Sequence, residues 1–266
     1  MNSIILEKYK SEKKVDDPYK SNKTIFNKII NFLRWSIYGL EFILLVNMMA
    51  YIFGLIGAKK LKWKCVQICA KRALKHFGVE VMQKGSFPKN YNCNTIIISN
   101  HKSWFDILLL IALFPKRIVF FAKKDFFNFP ILGTAMRIHK HIAVDKFSKG
   151  NYNETEEKVL QSLKENAVLC IFPEGTRYSK EGMLPFKKGA YQLAKKFNAT
   201  IIPVYHYGAE KILVKEKGMF ENTPGKIQVY IDSSFTLDEK NITDNQELEE
   251  KYKKRYNQYE LERGDL

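Results

Sequence analysis

Thr95-Ile-Ile-Ile-Ser-Asn-His-Lys-Ser-Trp-Phe-Asp106 joins a short β-branched apolar run to a second apolar run that begins at Trp104. The first run predicts a buried strand that stops at Ser99-Asn100-His101, and the second predicts a helix over Ile107–Phe114. In α/β proteins such a strand-to-helix turn is a common place for chemistry. Five positions along a continuous helix turn a side chain through about 140°, so His101 and Asp106 meet only if His101 precedes the helix. A loop histidine can then give one ring N–H to the carboxylate, which fixes the tautomer and leaves the other nitrogen free as a general base. The same residues have a structural reading: Ser103-Trp-Phe-Asp106 has the form of a capping box, with Ser103 as cap and Asp106 reaching back to a backbone N–H. The two roles are compatible, and the local sequence leaves both open.

A second stretch, Phe172-Pro-Glu-Gly-Thr-Arg-Tyr-Ser179, also follows an apolar run, Ala167–Phe172. Pro-x-Gly is ordinary turn chemistry, yet a turn does not call for Glu174 and Arg177 together. Gly175 lets backbone N–H groups approach an anion, Arg177 supplies a fork for phosphate, and Glu174 would orient Arg177 or a substrate hydroxyl. Taken together, Asn100-His-Lys-Ser-Trp-Phe-Asp106 and Phe172-Pro-Glu-Gly-Thr-Arg177 resemble the NHxxxxD and FPEGTR motifs of the glycerophospholipid acyltransferases, in particular the 1-acyl-glycerol-3-phosphate acyltransferases. The resemblance implies His101 and Asp106 as catalytic residues and Glu174, Gly175, Thr176 and Arg177 as substrate-binding residues. Between the motifs, His141-Ile-Ala-Val-Asp-Lys146 partly matches the block in which the family carries an Arg associated with the substrate phosphate. Lys146 stands in that place and offers charge without a bidentate fork; it also reads as an exposed Lys after a strand. Ile201-Ile-Pro-Val-Tyr205 resembles the family's fourth block, which places Pro203 in the acyl-donor region.

Composition is consistent with this. With 45% apolar and 27% charged residues among 266, the chain can bury a core and is not disordered in bulk. The formal charge of +16 is uneven: residues 1–78 hold 15 Lys/Arg against 5 Asp/Glu, beside the most apolar part of the chain. That placement suits an anionic membrane surface. Nucleic acid is the other usual partner of such charge, but no helix-turn-helix, zinc-finger or RNP-like pattern is present. Cys65, Cys69, Cys93 and Cys170 form no CxxC and no metal-ligand set, so they read as reduced structural thiols of a domain facing the cytoplasm.

Three regions are expected. Residues 1–22 form a polar tail, 23–78 a membrane-associated two-helix segment, and 79–266 the acyltransferase domain. Trp35–Ala58 is apolar apart from Ser36, Glu41 and Asn47, and its 24 residues would make a helix of about 36 Å, long enough to span. Both flanks are basic, which favours a helical pair (completed by Leu61–Phe77) embedded in one leaflet over a simple span. A buried helix of the globular domain is the competing reading. Beyond Gly78, seven apolar runs (Val79–Met82, Thr95–Ser99, Arg117–Ala122, His141–Val144, Ala167–Phe172, Thr200–Tyr205 and Lys226–Ile231) alternate with helical stretches, predicting an α/β fold with a mixed sheet covered by helices. The charged Gln246–Glu262 reads as a solvated terminal helix. His139, His141 and His206 have no acid at a fixed motif spacing and read as loop or core histidines.

The implied reaction moves a fatty acyl group from acyl-CoA or acyl carrier protein to the sn-2 hydroxyl of 1-acyl-glycerol-3-phosphate, giving phosphatidate, with no metal and no cofactor beyond the acyl donor. Another lysophospholipid or a lyso-amino-acid lipid is the alternative acceptor. A non-catalytic binder of anionic membranes is the alternative of a different class.

Overall fold

A computed structural model of the chain describes residues 18–88, 94–144, 152–178, 180–213 and 222–262. Lys146, Cys93 and the residue 1–17 part of the expected tail lie outside these. The first helical stretch is α1 (Pro18–Glu41), a π-helical segment (Phe42–Met49) and α2 (Ala50–Leu55), followed by α3 (Lys59–His76). Then come β1 (Val79–Lys84), β2 (Thr95–Ser99), α4 (Phe105–Leu113), β3 (Ile118–Lys123), a 3₁₀ turn (Lys124–Asn128), α5 (Pro130–Ile138) and β4 (Ile142–Val144). The chain continues through α6 (Tyr152–Lys164), β5 (Val168–Ile171), α7 (Gly189–Lys196), β6 (Thr200–Tyr207), α8 (Ala209–Ile212), β7 (Gly225–Ile231), a second 3₁₀ turn (Asp238–Lys240) and α9 (Asn245–Glu262).

The seven strands form one sheet in the order β1-β7-β6-β2-β5-β3-β4. All neighbours are parallel except β6 and β7, so the sheet is mixed as expected. Continuous apolar strands need cover on both faces, and side chains that alternate along each strand supply two cores. Ile97, Ile202 and Val204 face α3 and α4, while Ile96, Ile98, Ile201 and Tyr205 face the layer of α6, α7 and α9. In register, Ser99 of β2 lies opposite Val204 of β6, and Ile98 lies opposite Ile171 of β5. The ends of β2, β5 and β6, remote in sequence, therefore open on one edge of the sheet.

Two expectations need correction. The apolar stripe of α3, expected to lie in a leaflet beside the preceding helix, is turned inward: Trp63, Val66, Cys69, Ala70, Ala73 and Leu74 are buried in the core shared with α4 and the sheet. Among the described residues one helix, Ile25–Leu55, is long and apolar enough to cross a membrane, and 11% of its most apolar window is buried. It lies along the domain through Asn31, whose amide donates to the Asn222 carbonyl (2.8 Å), and through Trp35 and Tyr38, which pack on Phe77. Glu41, a cost in an apolar helix, accepts from Arg72 Nε at 2.9 Å. The second correction concerns α9, whose Leu248, Tyr252, Tyr256 and Tyr259 are buried on the sheet rather than solvated. Their spacing of four, four and three residues puts them on one stripe; the charged residues between them mask that stripe in composition.

Candidate active site

His101 follows β2 and Asp106 sits in the first turn of α4, the arrangement that lets the two meet. His101 Nδ1 is 2.8 Å from Asp106 Oδ2. The same oxygen accepts the backbone N–H groups of Lys102 (2.6 Å) and Ser103 (2.8 Å). Asp106 thus performs both roles the sequence left open, orienting the imidazole and reaching back to the helix start. Ser103 does not cap: its hydroxyl donates to the Leu213 carbonyl at 3.3 Å, and α4 has no side-chain cap. Asp106 is fully buried; burial pushes its carboxyl up, but His206, the His101 hydrogen bond and the Ser103 amide outweigh this and hold it below the ordinary value. It is therefore a carboxylate, His101 Nδ1 carries the proton, and Nε2 has no hydrogen-bond partner among the described residues. The imidazole ring stacks on Phe172 with centroids 4.1 Å apart and planes 15° apart.

The second motif closes over the first. Glu174 is 2% exposed, and its two oxygens accept the backbone N–H groups of His101 (3.0 Å) and Leu184 (2.9 Å). Burial raises its carboxyl above the ordinary value, against the pull of those two amides and of Lys102. Glu174 was expected to orient Arg177 or a substrate hydroxyl; both its oxygens are instead spent on backbone, joining the two motif loops. Tyr178 N donates to the His101 carbonyl at 2.8 Å, adding a second tie. Gly175 has φ +66°, a left-handed conformation that a side chain would strain. Thr176 lies on the same turn, partly exposed. The Arg177 guanidinium stacks on the Trp104 ring, 4.6 Å from its centroid, which carries it back over the start of α4. Pro203 is buried in β6 opposite Ile98, three residues before His206, which reaches the site.

Four residues at the site were missed by the motifs. Lys102 is 2% exposed and donates to the carbonyls of Lys180 (2.8 Å) and Gly182, pinning the loop after the second motif. The Lys187 ammonium approaches Gly175 so closely that it lies 2.5 Å from where a Cβ there would be. Tyr252 of α9 accepts the Asn100 N–H at 3.0 Å and donates to the Val204 carbonyl. His206 lies behind Asp106, its Nδ1 3.6 Å from Oδ1. The tyrosine stripe of α9 carried a signal, its helical spacing; Lys102 lies inside the first motif at a position the motif leaves variable, and Lys187 and His206 stand outside both motifs.

An imidazole aimed by a buried carboxylate, at the strand ends of an α/β sheet and beside a cation-bearing glycine turn, is an arrangement able to activate a hydroxyl for transfer. The comparisons agree. The family model described as Acyltransferase matches residues 74–207, half of the chain, and the chain belongs to that family. A 1-acyl-sn-glycerol-3-phosphate acyltransferase of Helicobacter pylori is 32% identical over 180 residues, covering 67% of this chain and 74% of that protein. One from Saccharomyces cerevisiae is 37% identical over 128 residues, covering 47% and 42%. The crystal structure of the 1-acyl-sn-glycerophosphate (LPA) acyltransferase PlsC from Thermotoga maritima aligns with a TM-score of 0.72 over 89% of this chain and 96% of that one, at 22% identity. That likeness is one of fold.

Proposed function

We propose that this acyltransferase moves a fatty acyl group from a thioester, acyl-CoA or acyl carrier protein, to the sn-2 hydroxyl of 1-acyl-glycerol-3-phosphate, releasing free thiol and phosphatidate. The observation that carries the reading is the His101–Asp106 contact of 2.8 Å with the second ring nitrogen open. His101 Nε2 takes the hydroxyl proton as the oxygen attacks the thioester carbonyl. The tetrahedral intermediate then collapses with cleavage of the C–S bond, and the thiolate leaves with the proton from the imidazolium. Asp106 keeps its negative charge throughout and stabilises the imidazolium. General-base catalysis contributes about 10²- to 10⁴-fold; positioning of the two substrates supplies much of the remainder. Arg177, Lys146 and the Gly175 turn are the groups assigned to the acceptor phosphate.

The enzyme works at a membrane surface, with the catalytic domain on the cytoplasmic side. Ile25, Phe26, Ile29, Leu33, Ile37 and Leu40 expose an apolar face along α1, while Asn31, Trp35, Tyr38 and Val46 bind the opposite face to the domain. A helix clamped to a water-soluble domain over residues 31–46 has lipid on one side only. This supports burial in one leaflet over a span.

Thiol release measured with acyl-CoA and acyl carrier protein, against lysophosphatidate and zwitterionic or amino-acid lysolipids, tests the reading. Lysophosphatidate should be the preferred acceptor. Preference for a lysolipid without a phosphomonoester would overturn the assignment of the acceptor, and absence of transfer to any of them would overturn the reaction.

A further inference from the structure

His206, the penultimate residue of β6, is fully buried and locked on Asn100. Its backbone N–H donates to Asn100 Oδ1 (3.0 Å), its carbonyl accepts from Asn100 Nδ2 (2.8 Å), and its ring Nε2 lies 2.7 Å from the Asn100 carbonyl. A carbonyl is only an acceptor, so Nε2 carries a hydrogen. The other ring nitrogen, Nδ1, points at Asp106 Oδ1 from 3.6 Å, and both atoms are buried with no hydrogen-bond partner. Asp106 is thus loaded asymmetrically: Oδ2 takes three N–H groups and Oδ1 takes none. A buried carboxylate oxygen left bare is costly, and an unprotonated Nδ1 would set a lone pair against it. A hydrogen on Nδ1 converts the repulsion into a charge-assisted contact.

We infer that His206 is a positioning residue: with hydrogens on both ring nitrogens it holds Asp106 from behind, so that His101, Asp106 and His206 form one chain running inward from the substrate face. The inference rests on His101 being the general base. Asp106 is then shared between two imidazoles, and the part of its charge taken by His206 is withheld from His101. The titratable groups surrounding the pair are His101 and Lys102 on the same loop, Cys170 on β5, Glu174 after β5 and Tyr252 on α9. Among the described residues none of these hydrogen-bonds to Oδ1, so His206 is the group placed to neutralise it.

The test uses the full-length enzyme and two variants. His206→Gln keeps a donor where Nε2 meets the Asn100 carbonyl and removes the partner of Oδ1; His206→Asn places its amide near Nδ1 and gives up the Asn100 link. Removing the positive charge behind Asp106 gives His101 more of the carboxylate, so the acid limb of kcat/KM moves to higher pH, by about one unit in His206→Gln. kcat should fall about tenfold with both KM values within about twofold, because no substrate contact is lost. His206→Asn should retain more kcat than His206→Gln. A folded His206→Gln enzyme with an unmoved acid limb, whatever its kcat, would reduce His206 to a packing residue. Nitrogen NMR of ring-labelled histidine in the unsubstituted enzyme reads the same point without activity or refolding. Hydrogens on both ring nitrogens of His206 are expected in the folded enzyme, and a ring with one bare nitrogen overturns the inference. Full activity of His101→Ala would sink the general-base reading separately, since it leaves the His206 nitrogen signals to report on their own.

Discussion

Asp106 shows how much one side chain can organise when it is buried. Its Oδ2 gathers the His101 ring and two backbone amides into a single point. Asp106→Asn keeps the shape but removes the charge that stabilises the imidazolium, and its amide can present NH₂ where three donors already converge. Turnover should fall by about 10²-fold or more with the fold intact, checked by kcat alongside a melting curve. Glu174 gives the complementary case. Both oxygens accept backbone N–H groups, so the isosteric Glu174→Gln must turn an NH₂ toward another donor. The loss expected is about 1–3 kcal/mol, measured by denaturant unfolding, with Glu174→Ala no better. A Gln variant of undiminished stability would mean that the two loops hold together without this tie.

The helices divide the labour of covering the sheet, and two of them do more than cover. α9 sends Tyr252 through the core to the backbone of Asn100 and Val204. Tyr252→Phe leaves the Asn100 N–H without its acceptor in a buried site. A fall of about 1–3 kcal/mol in stability is expected, accompanied by reduced kcat because Asn100 precedes His101. α1 does the opposite, turning its apolar residues outward: Phe26 is 62% exposed and Leu40 59%. Vesicle flotation should show the intact chain resisting high salt, since screening acts on charge and not on buried area. Replacing Phe26, Leu33 and Leu40 together by Glu should release it. Retention of that triple variant would place the membrane contact elsewhere.

The whole molecule ties its apolar N-terminal helix to the catalytic domain through polar groups as well as packing. The His139 ring lies 3.3 Å from the Val46 carbonyl, and Lys62 donates to the Ile138 carbonyl next to it (2.5 Å). Burial, reinforced by the Lys62 charge, lowers the pKa of His139 to about 4. Its folded-state value is thus below its unfolded one, near 6.5. Between these two, the unfolded chain binds a proton that the folded chain refuses, so stability falls as pH drops from about 6.5 toward 4, by up to about 1.4 kcal/mol per pH unit from this residue. Unfolding free energy measured across that window should show the slope, and His139→Asn should flatten it. An unchanged slope in the variant would assign the acid sensitivity to other groups.

What the sequence determined by itself was local. The seven apolar runs became seven strands, with Thr95–Ser99 bounded as expected, because β-branched runs flanked by polar turns specify the strand period without help from distant residues. The His101–Asp106 pair was legible for the same reason, since a five-residue spacing across a strand-to-helix turn brings the side chains together through backbone geometry alone. The tertiary structure decided which strand ends lie side by side. The β5-β2-β6 adjacency sets Glu174 under His101 and His206 behind Asp106 across 73 and 100 residues of chain, contacts fixed by burying both faces of the sheet and not by any spacing. The same burial drew α3 and the tyrosine stripe of α9 into the core. Their charged faces dominate composition, yet a helix is placed by the free energy of the one stripe it removes from water.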